Sequence, residues 1–131
     1  MVRSAWESLG VSTDRGIEAV KRGLSIQCLK DFLQETRLPR AAVLNVLKLT
    51  AREVESKHRL TREESERLWR LANIYQNSLG LFEGDAERTV LWLKAPQRAL
   101  GDVSPLKHIV TEPGAAQVQE LIGRIEYGVL S

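Results

Sequence analysis

The stretch from Thr61 to Phe82 constrains this chain most, because its apolar residues recur at helical spacing with no proline to interrupt them. Leu68, Leu71, Ala72, Tyr75, Leu79 and Phe82 form one continuous stripe. Thr61 and Glu64 stand in the T-x-x-E spacing of a capping box, and Glu63, Glu64 and Glu66 crowd the positive end of the helix dipole. Capping explains these carboxylates better than acid–base chemistry does. A helix from Arg62 to Leu81 would be about 30 Å long. In a chain of 131 residues it must serve as a central strut, a dimer seam or both. Leu68, Trp69, Leu71 and Tyr75 are the residues expected at a self-association surface.

The rest of the sequence also reads as helix, with Gly and Pro placed where helices start or stop. A short helix is expected from about Asp14 to Arg22, capped by Ser12 or Thr13 and ended by Gly23. Ser25 caps a second, with Ile26, Leu29, Phe32 and Leu33 on one face. Pro39 marks the first turn of a third, which runs to about Leu47. Thr50 caps a fourth that ends near His58. Beyond the long helix, Gly84 is a stop and Asp85 a cap for a helix ending at Pro96. Ser104-Pro105 opens a brief helix, and a last one begins at Pro113 or Gly114 and ends at Gly128, with Glu120 and Arg124 paired on its wet side. The fold class is therefore all-α.

A hydrophobic fraction of 43% against 27% charged residues is that of an ordered, soluble domain. Cys28 is the only cysteine, so an internal disulfide is excluded; a packing role and a reducing, cytoplasmic setting fit it best. The N-terminus lacks the apolar run of a signal peptide, and no stretch has the length of a membrane span. His58 and His108 are isolated, no Cys/His metal spacing exists, and GxSxG, Walker A and GxGxxG sequences are absent. No catalytic residue, metal ligand or cofactor is assigned, and an enzyme is not expected.

The net charge of +2 is small, but it is unevenly spread. Basic residues outnumber acidic ones between Arg37 and Arg59, whereas the region after Gly84 is mildly acidic. Two short helices joined at Lys48-Leu49, the second one basic, make a helix-turn-helix candidate. Val43, Leu47, Leu49 and Val54 fill its buried positions. Arg52, Ser56, Lys57 and Arg59 are the residues expected to reach phosphates or base edges of DNA. Two departures stand out: Lys48 occupies the turn position where such motifs often place glycine, and Leu44 replaces the usual small alanine.

After Gly84 the chain carries Ala86, Trp92-Leu93, Pro96, Leu100-Gly101, Pro105-Leu106, Gly114 and Val118, then Leu121, Ile125 and Gly128. Trp92 and Leu93 would plug a small helical core. Pro96, Gly101 and Pro105 would turn the chain through a tight corner, and Gly114 would permit a close approach at the start of the last helix. In order and spacing this string resembles the toxin-binding domain of Xre/MbcA/ParS-type antitoxins. The region from Ser25 to Phe82 is similar to the Xre-like helix-turn-helix domain that precedes it. The organisation read from these features is an N-terminal segment 1–24, an Xre-like domain 25–83 and a toxin-binding domain 84–131.

The resemblance implies an antitoxin of a type II toxin–antitoxin system. Its partner would be a RES-domain toxin that degrades NAD, so NAD is the toxin's substrate and no cofactor of this chain. The resemblance further implies blockage of the toxin's active site, repression of the chain's own operon through operator DNA, and a homodimer that enters a larger complex with the toxin. Tyr127, Val129, Leu130 and Ser131 combine an aromatic, two aliphatics and a terminal carboxylate, which suits insertion into a cleft, with Arg124 and Glu126 as orienting charges. The alternative is a stand-alone helix-turn-helix transcriptional regulator whose C-terminal module only dimerises it.

Overall fold

Side-chain caps set where most helices begin. In the computed structural model, which describes residues 13–128, the chain forms α1 (Thr13–Arg22), α2 (Ile26–Thr36), α3 (Arg40–Leu47), α4 (Ala51–Ser56) and α5 (Arg62–Leu81). These are followed by α6 (Ala86–Lys94), a single 3-10 turn (Arg98–Leu100), α7 (Pro105–His108) and α8 (Glu112–Glu126). Ser25, Thr50, Asp85, Ser104 and Thr111 each accept a first-turn backbone N–H of the helix they precede. The all-α expectation holds.

The chain divides into two compact units, 1–73 and 74–131, so the boundary falls inside α5. In the first unit, Leu29, Phe32, Val43, Leu47, Val54, Leu68 and Leu71 are buried to 1% exposure or less. Each such side chain contributes about 1.5–3 kcal/mol relative to exposure. A short antiparallel pairing joins residues 24–26 to 58–60: the Ile26 N–H donates to the His58 carbonyl and the Leu60 N–H to that of Leu24. Helical periodicity gave no hint of it. Gly23 sits at this crossing with φ +90, and a Cβ there would lie 2.3 Å from the Leu60 carbonyl oxygen, so only glycine fits. The Leu24 N–H is satisfied by the buried Ser65 hydroxyl at 2.8 Å.

In the second unit, Leu93, Leu100, Leu106, Ile109, Ala115, Val118 and Ile122 form the core. Leu93 is fully buried, as expected, but Trp92 is only half-buried and stands 6.3 Å from the Phe82 ring, tilted 55° to it. The corner between α6 and α7 closes through a Gln97–Val103 bridge, with Gly101 and Asp102 both left-handed at its tip. Gly114 makes the expected close approach: an added Cβ would lie 1.8 Å from the His108 carbonyl oxygen.

Candidate functional site

Each unit carries one candidate surface. In the first, α3 and α4 are joined by a turn in which Lys48 is left-handed, φ 60 and ψ 45. The position that glycine often fills thus keeps the conformation glycine would supply, on a lysine whose N–H bonds back to α3. The Leu49 N–H donates to the Leu44 carbonyl at 2.9 Å and buries Leu49. Thr50 and Glu53 then form a full capping box, each side chain taking the other's backbone N–H at 3.1 Å. The six-residue α4 is fixed at its start by this cap and beneath by Val54, which is 1% exposed.

The four residues expected to meet DNA separate into two pairs. Arg52 and Ser56 are exposed on α4. Lys57 is drawn inward: its Nζ donates to both Glu64 oxygens, at 2.8 and 3.1 Å. Burial raises the Glu64 pKa, but the Lys57 hydrogen bond, the Thr61 N–H, the Lys57 charge and the Thr61 hydroxyl outweigh it, so the carboxyl lies below its ordinary value. Glu64 also completes the expected capping box, accepting the Thr61 N–H at 2.9 Å while its own N–H donates to the Thr61 hydroxyl. Arg59 remains exposed, yet its Nη1 donates to the Gly23 carbonyl at 2.6 Å. Lys48 and Arg37 add exposed positive charge beside α3, and Arg40 pairs with Glu55 at 3.7 Å.

On α5, Leu68 and Leu71 are 0% exposed and Tyr75 3%, so the chain's own interior uses them. Trp69 alone of the four expected self-association residues keeps accessible surface. Its ring covers Gly16 of α1 and lines an open groove with Ile17, Val20 and Arg62.

In the second unit, α8 ends at Glu126, with Arg124 ion-paired to Glu120 and Glu126 exposed. Tyr127 is 80% exposed, a large aromatic presented to solvent where the helix stops. Val129, Leu130 and Ser131 lie outside the described residues. Half-buried Leu121 and Ile125 stand four apart on α8, and Leu91 of α6 is 59% exposed. The sequence did not single out Leu91; it lies within an apolar run that reads as core until the helix is placed.

Among the described residues, no group of three or more His, Cys, Asp or Glu is placed to hold a metal ion. No helix there is long and apolar enough to cross a membrane.

Comparison with known proteins assigns the second unit a relative of defined role. Residues 80–128 match the family model described as the antitoxin Xre/MbcA/ParS C-terminal toxin-binding domain. The chain is 32% identical to an Antitoxin Xre of Yersinia enterocolitica, over 98% of this chain and 92% of the other. It is 29% identical to an Antitoxin Xre of Photorhabdus laumondii, over 96% and 90%. A protein of a Sphingobium species named Prs ADP-ribosylating antitoxin is 26% identical, over 88% and 80%.

Proposed function

The chain belongs to the Xre antitoxin family, and from that premise we propose that it neutralises, without catalysis of its own, a RES-domain toxin that degrades NAD. The observation that carries this reading is the exposed Tyr127 at the end of α8, within the segment matched as toxin-binding. An apolar ring held at the end of a rigid helix is a low-entropy anchor for a partner's cleft. Val129 and Leu130 extend its apolar character in the sequence, with Ser131 behind them, and Glu126 supplies a charged neighbour. Arg124 orients through its Glu120 pair. Inhibition follows by occlusion: the end of α8 and the apolar residues after it, filling the NAD cleft, exclude substrate without any chemistry on this chain. The Sphingobium relative's name couples an antitoxin with ADP-ribosylation, a reaction that also consumes NAD, which supports a toxin of NAD-consuming class.

The same chain binds its operator through α3–turn–α4, with Arg52 and Ser56 entering the groove and Lys48 beside them on the phosphates. A homodimer would present two such motifs to a two-fold site. Its contact surface centres on Trp69 rather than on the buried Leu68, Leu71 and Tyr75.

Co-expression with the neighbouring RES-type gene tests the reading. The full chain restores growth, and a chain truncated after Glu126 does not. Equal rescue by the truncated chain would contradict occlusion by residues 127–131, and absence of rescue by the full chain would contradict the antitoxin–toxin pairing.

A further inference from the structure

Where the antiparallel pairing of residues 24–26 with 58–60 closes, an open cleft of about 530 Å³ is lined by Ala19, Arg22, Gly23, Ser25, Cys28 and Arg59. Two guanidinium side chains contribute to it, and no carboxylate lines it among the described residues. Arg22 is the last residue of α1, and Arg59 follows the end of α4 by three positions. They reach one cleft because the pairing brings the two strands of chain together, a placement no local pattern would reveal. Arg59 is held there: one of its donors is fixed on the Gly23 carbonyl at 2.6 Å, and a guanidinium has five N–H donors in a rigid fork. The floor adds to the positive field, because α2, capped by Ser25, starts there at Ile26 with no acidic residue in its first turn. Two arginines in a concave, carboxylate-free setting match a phosphodiester.

We propose that this cleft holds a backbone phosphate of the DNA bound by α4, clamped between Arg22 and Arg59. The proposal rests on the DNA-binding reading of α3–turn–α4 and extends that footprint past the end of α4 to α1. Phosphate contacts fix register without reading sequence, so the clamp sets the position of the six-residue α4, and base readout is left to residues on that helix.

The test is the affinity of the full chain for a duplex of arbitrary sequence, measured by fluorescence anisotropy across a potassium chloride series. The variants are Arg22→Ala, Lys21→Ala and Arg52→Ala. Lys21 is the neighbouring exposed cation on α1, outside the cleft, and controls for net charge. Arg22→Ala is preferred to an Arg59 variant because Arg59 also braces Gly23. The expected result is a roughly three- to tenfold loss for Arg22→Ala at low salt, with the slope of log K against log salt reduced by about 0.9, and little change for Lys21→Ala. Equal effects of Arg22→Ala and Lys21→Ala would overturn the clamp. So would an unchanged Arg22→Ala beside a weakened Arg52→Ala, while leaving DNA binding by α4 in place. No salt-dependent duplex binding by the wild type would overturn the DNA reading and the clamp together. Inorganic phosphate perturbing the NMR signals of residues 23–28, with DNA affinity indifferent to Arg22, would reassign the cleft to a free anion and overturn the proposal.

Discussion

Replacing Gly114 with alanine places a methyl group where the His108 carbonyl already stands. The added Cβ would lie 1.8 Å from that oxygen and 2.9 Å from its carbon. The first distance is roughly 1.5 Å short of the separation at which a carbon and a carbonyl oxygen rest together. Because the obstacle is backbone, no rotamer change relieves it, and α7 and α8 must move apart. Overpacking of this kind costs about 1–3 kcal/mol. The Thr111 cap on the Gly114 N–H, at 3.1 Å, is strained by the same movement, at a cost of about 1 kcal/mol. Alanine's better helix propensity returns about 1 kcal/mol, leaving a net loss of about 1–3 kcal/mol. Gly123 lies on the same helix with nothing within 4 Å of an added Cβ. Gly123→Ala therefore gains about 0.5–1 kcal/mol. At about 4 °C per kcal/mol, thermal melts should show Gly114→Ala lowered by about 4–12 °C and Gly123→Ala raised by a few degrees. Wild-type stability in Gly114→Ala, or equal destabilisation of both variants, would refute the close-approach argument.

Glu64→Gln removes the Lys57 pair and should cost about 1–2 kcal/mol in urea unfolding, a value kept low because the Lys57 side chain is 24% exposed. Because the folded Glu64 pKa is lowered, its contribution is fully present above the ordinary carboxyl value of 4.5 and is lost as pH falls through the folded value. Wild type and Glu64→Gln should thus converge in stability as pH falls below the ordinary carboxyl range, and a gap independent of pH would contradict the ion pair. Leu71→Ala, at a fully buried site, should cost about 2–5 kcal/mol in the same assay. A change in solution mass with undiminished stability would instead place Leu71 at an interface.

What the sequence revealed was local. The Thr61–Glu64 box, the Ser104 and Asp85 caps and the Glu120–Arg124 pair all rest on residues within one turn of each other, and each is present. The helix-turn-helix was legible for the same reason, through Val43, Leu47, Leu49 and Val54. Lys57 and Arg59 read as surface cations because their partners, Glu64 and the Gly23 carbonyl, are set by tertiary contact. An apolar stripe on α5 fits either a core or a dimer seam, and burial of Leu68, Leu71 and Tyr75 separates the two where periodicity does not. Trp92 and Leu93 were indistinguishable as core residues, since adjacent helix positions point about 100° apart and only packing decides which one faces inward.

The most direct test of toxin neutralisation is NAD turnover by the RES-domain toxin proposed as partner, titrated with this chain and with Tyr127→Ala. The chain should abolish turnover at stoichiometric concentration. Tyr127→Ala, which removes an 80% exposed ring and so leaves the melting temperature unchanged, should inhibit at least about tenfold more weakly. Toxin turnover unaffected by the wild-type chain would contradict the central claim, and full inhibition by Tyr127→Ala would remove the end of α8 from the mechanism.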